Sequence, residues 1–210
     1  MNPRMTKHKT LTEYQREEIN NVVVNTLGEQ YATLRLVHLT IKEDVIEETT
    51  EIKCDMLLGG KKLTVKGAGN GPIDALFTAL VKKFSPEYCS LENLHFTRFS
   101  VEADISKGSA SAKTDATVEA TLEIDNESSS LLFRERANSI SVVSAKVAVS
   151  TIEHFINSEK CVIMLYNNLQ YAKERRRGDM VVLYTQKLAE VVKNVSYEKV
   201  IEKCKREKKR

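Results

Sequence analysis

The residues best suited to binding chemistry lie in one glycine-rich junction, Gly67-Ala-Gly-Asn-Gly-Pro72. Apolar residues at helical spacing follow it, so the junction should open onto a helix N-terminus, with Pro72 in the first turn. Unpaired backbone N–H groups and a partial positive charge at such an end can receive a carboxylate, and glycine lets the backbone approach a ligand closely. The sequence therefore predicts a carboxylate site that includes Gly69, Asn70 and Gly71.

Asp74 and Ala75 fall in the first turn of the same helix. Asp74 could bind the ammonium group of a ligand or only stabilise the helix dipole, and Asn70 could cap the helix instead of touching a ligand. Ala75 and Ala79 lie four residues apart on one helix face. They could leave room for a branched aliphatic side chain, or they could allow close helix packing without a ligand. Each alternative remains open at this point.

The sequence lacks the residue patterns that metal binding, redox catalysis and nucleophilic catalysis require. The histidines stand at positions 8, 38, 95 and 154 without a metal-ligand pair, and the four cysteines form no CxxC pair. A dinucleotide-binding loop also joins a strand to a helix, but Pro72 replaces its third glycine and hairpins stand where a βαβ unit is needed. The sequence therefore predicts no catalytic residue, no metal site and no cofactor.

Composition and charge limit the class of protein. With 210 residues and 41% hydrophobic content, the chain can bury the core of one domain with appendages or of two small domains. No stretch approaches the roughly 20 apolar residues that cross a bilayer, and the first residues lack an apolar signal core, so we expect a cytoplasmic protein without membrane contact. Basic residues concentrate at 173–177 and 203–210, which suits solvated helix ends or an anionic partner. Aromatic residues are not interleaved with them, so the pattern does not favour nucleic-acid binding.

Hydrophobic periodicity divides the chain into two similar series of elements. After a helix over residues 11–27, strands are predicted at 34–41, 52–58 and 62–66, and a helix from Pro72 to residue 84. The second series has strands at 94–105, 114–124 and 131–136 and a helix at 140–156. Alignment of Asn70 with Asn138 makes Ser139 the counterpart of Gly71, so Asn138 and Ser139 are candidate ligand contacts at a second junction.

Two strand-strand-strand-helix units together predict an α+β fold. Its six strands and two long helices should form a sheet-and-helix sandwich, with an N-terminal helix before it. Beyond Asn157 the pattern becomes helical again and breaks at Gly178, which predicts a C-terminal helical extension with a basic tail. The predicted organisation is a lead-in at 1–30, a duplicated domain at 31–157 and the extension at 158–210.

The nonapeptide Gly67-Ala-Gly-Asn-Gly-Pro-Ile-Asp-Ala75 resembles the GxGNGPVDA element of a known family. In the C-terminal regulatory domain of isopropylmalate and citramalate synthases, that element opens the first long helix. Val101-Glu-Ala103, Thr114-Asp-Ala116 and residues 137–148 resemble the second half of that domain, in the same order. The resemblance covers about residues 34–157 and is independent of the duplication, with which it agrees.

This resemblance implies two pseudo-symmetric βββα units, a homodimer, and leucine or isoleucine bound as feedback inhibitor near the dimer interface. It adds Asp115 to the ligand-binding candidates, although a strand-entry turn accounts for Thr114 and Asp115 equally well. Two departures, Ala137 where the family tends to have glycine and Ser141 where it tends to have aspartate, put ligand binding by the second half in doubt.

The catalytic barrel of the family's enzymes has no counterpart in this sequence, which contains neither an RDG-type turn nor a paired-histidine metal site. We therefore expect a stand-alone, non-catalytic protein that senses a branched-chain amino acid and acts on a separate synthase. The alternative is a structural dimerisation subunit that binds no ligand and holds a partner protein through its C-terminal helices.

Overall fold

The computed structural model describes residues 13–104, 117–126 and 129–207. Its first element is helix α1 (Glu13–Leu27), which ends where Gly28 takes a positive φ of 50°. Glycine accepts that left-handed conformation without the steric penalty that other residues meet, so it is a common helix terminator. The predicted start of this helix at residue 11 lies outside the described residues.

The first unit has the predicted order of three strands and a helix. The antiparallel strands β1 (Leu34–Asp44), β2 (Thr49–Leu58) and β3 (Lys61–Gly69) form one sheet in that order, and helix α2 (Pro72–Phe84) follows. Gly59 and Gly60, with φ of 54° and 82°, make the tight turn between β2 and β3. A two-residue hairpin turn needs this left-handed backbone, which the glycine pair supplies.

The second unit repeats the order. Strands β4 (His95–Asp104), β5 (Thr117–Asp125) and β6 (Ser130–Ala137) form a separate antiparallel sheet, and helix α3 begins at Ile140. The predicted residues Thr114 and Asp115 lie in the segment 105–116, outside the described residues.

The pairing register confirms the duplication. Thr50 lies opposite Gly69 in the first sheet, and Val118 lies opposite Ala137 in the second, 68 positions later in both strands. Each sheet also has one bulge at the same place, where its first strand holds an extra residue against the second. The bulge residues are Val37 and Thr97. A bulge changes which face the following side chains occupy, so its recurrence indicates that the two sheets share one geometry in detail.

The helices cover one face of each sheet. Helix α2 packs on β2 and β3, helix α3 packs on β5, β6 and β1, and the two helices contact each other. Alternate side chains of the central strands point into these contacts, as Cys54 and Met56 do from β2 and Leu122 and Ile124 do from β5. The α+β sandwich of two pseudo-symmetric βββα units, predicted from the sequence, is confirmed.

Helix α3 differs most from expectation. The sequence predicted a helix ending at residue 156 and a separate helical segment beyond Asn157, whereas α3 (Ile140–Glu174) runs without a break for 35 residues. Helices α4 (Gly178–Val191) and α5 (Tyr197–Glu207) then pack against its second half. The domain boundary that we placed between residues 157 and 158 therefore falls inside a helix, and the division into domains stays a prediction.

Polar residues in the middle of α3 explain the misreading of that segment. They interrupt the apolar pattern, but Asn157 is buried, Glu153 is half-buried, and both bond to other elements. The Asn157 amide accepts a hydrogen bond from Ala32 N at 2.8 Å and donates one to Ala32 O at 2.9 Å. Glu153 accepts bonds from Leu34 N at 2.6 Å and from the Tyr31 hydroxyl at 3.2 Å. These bonds fix the entry to β1 on the helix, because buried backbone groups need partners.

Glu159 makes the equivalent connection for the second unit. Its carboxylate is fully buried and accepts hydrogen bonds from Ser90 N at 2.8 Å and Cys89 N at 3.3 Å, in the turn before β4. The Lys203 ammonium, on α5, lies 3.9 Å from the same carboxylate. One side chain thus joins the centre of α3, the start of the second unit and the last helix.

Acid sensitivity should arise from His154, which is buried on α3 beside Phe133 and Phe155. Burial, assisted by the charge of Arg16, lowers the pKa of His154 from 6.5 to about 3. Between these values the unfolded chain binds a proton that the folded chain excludes, so the free energy of unfolding falls as the pH falls. We expect the wild type to lose about 2 kcal/mol more than His154→Phe between pH 7 and pH 5.

The measurement for this prediction is urea unfolding at the two pH values. Val24→Ala, at an exposed position on α1, removes no titratable group, so it is the control and should keep the wild-type pH dependence. An identical loss in the wild type and in His154→Phe would show that His154 does not titrate in this way.

Candidate functional site

The first junction joins β3 to α2 as the sequence predicted. Strand β3 ends at Gly69, and α2 begins at Pro72 with Gly71 as its N-cap residue. Ala75 N donates the first helical hydrogen bond, to Gly71 O at 2.9 Å. No side chain caps the helix, so the alternative in which Asn70 is the capping side chain is wrong. The N–H groups of the first turn beyond Pro72 are available at the helix end by its geometry.

Two glycines of the junction are required by packing. A Cβ atom at Gly67 would lie 2.4 Å from Ala75 O and 2.8 Å from the Ala79 Cβ. A Cβ atom at Gly69 would lie 2.4 Å from an oxygen of Asp74 and 2.8 Å from Ala75 N. The small residues on α2 and the glycines on β3 thus allow the helix to lie directly on the strand, which accounts for Ala75 and Ala79 through close packing.

Gly71 differs from the other two glycines because packing does not require it. No atom lies within 4 Å of the position that its Cβ would occupy. Its φ of −175° is extended backbone that any residue adopts. Neither packing nor conformation therefore requires glycine at this position, and the space beside the helix N-terminus is open.

Asp74 occupies the centre of the first junction. One carboxylate oxygen accepts a hydrogen bond from Asn70 N at 3.1 Å, and the other lies 3.5 Å from the Thr78 hydroxyl. The carboxylate thus holds the loop closed and places a negative charge where the helix dipole favours it. The same carboxylate occupies the Asn70 N–H, which a ligand carboxylate could otherwise have used. The junction therefore presents a negative charge beside the positive end of the helix dipole.

The second junction is similar in backbone and different in charge. Ser139 is the N-cap of α3, and its hydroxyl accepts a hydrogen bond from Val142 N at 3.5 Å. In the register that relates the two units, Val142 and not Ser141 stands where the first unit has Asp74. Asn138 and Ser139 are exposed. This helix end is capped by a neutral hydroxyl and has no carboxylate of its own in the first turn.

The predicted site residues fall into two groups in the structure. One group forms the first junction and the other forms the second, at the N-termini of two helices that pack together. The first group is Gly69, Asn70, Gly71, Asp74 and Ala75, and the second is Asn138 and Ser139. Ala75 is fully buried in the helix contact, whereas Asn70 is exposed.

A polar cluster between α1, β6 and α3 was missed by sequence reasoning. The Arg16 guanidinium donates to Leu132 O at 2.9 Å and lies 5.1 Å from the centre of the Phe133 ring. With Tyr31, Glu153 and other polar residues it lines a cavity of about 180 Å³. Three distant segments contribute to this cluster, so no local motif could reveal it.

Residues 13–104, 117–126 and 129–207 contain neither a cluster of side chains suited to a metal ion nor a membrane-spanning helix. No cluster of three histidine, cysteine, aspartate or glutamate side chains in these ranges could hold a metal ion. The same residues include no helix long and apolar enough to cross a membrane.

Comparison with known proteins identifies the duplicated part of the chain. A family model described as the LeuA allosteric (dimerisation) domain matches residues 13–156. The 2-isopropylmalate synthase of Afipia carboxidovorans is 29% identical over 147 residues, which are 69% of this chain and 25% of that enzyme. The chain thus spans about a quarter of the length of this relative. The second half of α3, with α4 and α5, lies beyond the family match.

Proposed function

The chain belongs to the LeuA allosteric (dimerisation) domain family, and on this premise we propose that it is a homodimeric, non-catalytic regulator. In this proposal it binds a branched-chain amino acid, leucine or isoleucine. It then alters the activity of a 2-isopropylmalate or citramalate synthase catalytic unit that these 210 residues do not contain. The family and the relative support the regulatory domain and the class of enzyme that it serves.

Gly71 is the observation that supports ligand binding most directly. Glycine stands here without a packing or conformational reason, at a helix N-terminus and next to a carboxylate. An α-amino acid offers groups of both signs to such a place. The N–H groups at the helix ends would receive its carboxylate, and Asp74 would bind its ammonium group.

The proposed ligand site extends across both junctions. Its residues are Gly69, Asn70, Gly71, Asp74, Ala75, Asp115, Asn138 and Ser139. Within this set Asp74 supplies the negative charge, and Ser139 presents a neutral helix end. The contact between α2 and α3 gives a physical route by which a ligand at one helix end could shift the other.

Gly71→Val tests the site. A valine side chain would fill the open space, so we expect isothermal titration calorimetry to show at least about a tenfold loss of leucine or isoleucine affinity. Unfolding of the ligand-free protein should change by less than about 0.5 kcal/mol, because nothing contacts this position.

Gly178→Val is the matched control for this test. Gly178 also has no atom within 4 Å of its Cβ position, and it lies at the start of α4, outside the family match. This variant should bind the amino acid as the wild type does. Wild-type affinity in Gly71→Val would place the ligand elsewhere.

A structural dimerisation subunit without a ligand is the second candidate. It is favoured by the second junction, where Ala137 and Val142 stand at the counterparts of Gly69 and Asp74. This function predicts no effect of any amino acid and binding of a partner protein through α4 and α5. Truncation after Asn157 would not test it, because that cut removes the buried Glu159 and divides α3.

A further inference from the structure

Two turns of the chain expose large apolar side chains in charged surroundings. The acidic turn, residues 43–48, joins β1 to β2 and contains four carboxylates and two aliphatic residues. Val45 is 88% exposed and Ile46 is 90% exposed. The Asp44 carboxylate accepts hydrogen bonds from Ile46 N and Glu47 N, both at 3.0 Å, so the turn has a defined shape.

The basic turn, residues 173–177, joins α3 to α4 and carries four cationic side chains and one carboxylate. It too has a defined shape, because Arg177 N donates to Ala172 O at 2.9 Å and Arg176 takes a positive φ of 53°. Exposed apolar side chains flank it on both helices. They are Tyr171, Val182 and Leu183.

We propose that the acidic turn of one copy of this chain docks on the basic turn of a second copy. Each turn combines exposed apolar side chains with a net charge, which is negative in the acidic turn and positive in the basic turn. Opposite charge orients the approach, while burial of the aliphatic side chains supplies the favourable free energy that exposed ion pairs largely lack.

A second copy of the chain would cover both the acidic turn and the basic turn, whereas a nucleic acid would cover only the basic turn. A polyanion would use the arginines of the basic turn, but it would leave Val45 and Ile46 in water and would repel the carboxylates around them. Contact between two copies covers both turns at once. Because each copy carries both turns, a two-fold arrangement makes the contact twice and closes the pair.

The contact is small, so we expect weak association. This association would occur in addition to any dimer that the family domain forms. Sedimentation velocity of the full chain, over about 10 to 500 µM, should reveal a larger species as the concentration rises. Glu47→Lys with Glu48→Lys should weaken this association at least about tenfold, because the two lysines cancel the charges of Glu43 and Asp44 and leave the turn without a net negative charge. Asp44 stays unchanged in this variant because it shapes the turn.

The opposite reversal, Arg176→Glu with Arg177→Glu, should weaken the association to a similar degree. This change breaks the exposed ion pair of Arg177 with Asp179, whose atoms lie 3.6 Å apart, and an ion pair of this kind contributes little to stability. A glutamate at 177 also precedes the N-terminus of α4, where negative charge is tolerated well. Lys61→Glu with Lys62→Glu is the matched control, since it makes the same change of charge at the exposed β2–β3 turn. This control should associate as the wild type does.

Mixing the two reversed variants makes the test independent of folding damage. One variant keeps its basic turn beside a turn without net charge, and the other keeps its acidic turn beside a weakly acidic one, so neither should associate alone. The mixture brings an intact basic turn against an intact acidic turn and should regain part of the larger species. Recovery in the mixture supports the docking of the two turns. Wild-type association in either reversed variant, or no recovery on mixing, overturns the proposal, as does a wild type that shows no larger species at the highest concentration.

Discussion

Replacing Glu159 with alanine is expected to lower the free energy of unfolding by about 4 kcal/mol. The carboxylate is fully buried, and it is the acceptor for the backbone N–H groups of Cys89 and Ser90. Alanine would leave both groups without an acceptor and open a cavity in the centre of α3. It would also remove the carboxylate beside the Lys203 ammonium, which then keeps only its hydrogen bond to Glu87 O among the contacts described. Urea unfolding followed by circular dichroism would measure the loss.

Two further variants separate the hydrogen bonds from the charge. Glu159→Gln keeps an acceptor oxygen and should cost less than Glu159→Ala. Glu174→Ala, at the exposed end of the same helix, should change stability by less than about 0.5 kcal/mol. A loss below about 1 kcal/mol in Glu159→Ala would mean that water or another group replaces the carboxylate, and that this side chain does not hold the three elements together.

Gly67→Ala should destabilise the fold by about 3 kcal/mol, although it adds only one methyl group. That methyl would lie 2.4 Å from Ala75 O, which belongs to the backbone of α2 and cannot rotate away. Strand β3 and α2 would have to separate, and the close contact that places the first junction would be lost. Thermal or urea unfolding would measure the effect.

Gly71→Ala is the matched control for this change. It adds the same methyl group four residues later, where no atom lies within 4 Å and the backbone is extended. Its stability should equal that of the wild type or exceed it slightly, because alanine restricts the unfolded chain. Equal stabilities of the two variants would show that β3 and α2 do not lie as close as described.

The features that depend on local patterns could be predicted from the sequence. Alternating strands, the Gly59-Gly60 turn and Pro72 at a helix start each have a local physical cause, so the two βββα units could be predicted from them. The duplication followed from the order of elements. The glycine junction was predicted as one site, but a linear motif could not show that Gly67 and Gly69 contact α2 while Gly71 faces open space.

Features that depend on distant contacts could not be predicted. Asn157 and Glu159 were taken as the end of a helix because polar residues in sequence usually face water. Here they bond to Ala32 and to Ser90, more than 60 residues away in the chain. The role of Asp74 was left open for the same reason, since its bond to Asn70 N depends on how the loop folds back on the helix.

The most direct test of the proposed function is thermal unfolding of the protein with and without leucine, isoleucine or valine at millimolar concentration. A ligand at about 100 times its dissociation constant adds roughly 2.7 kcal/mol to the stability of the folded state. The proposal predicts a clear rise in Tm with leucine or isoleucine, and a clearly smaller rise in Gly71→Val. An unchanged Tm with all three amino acids would contradict ligand binding and would favour the structural dimerisation subunit.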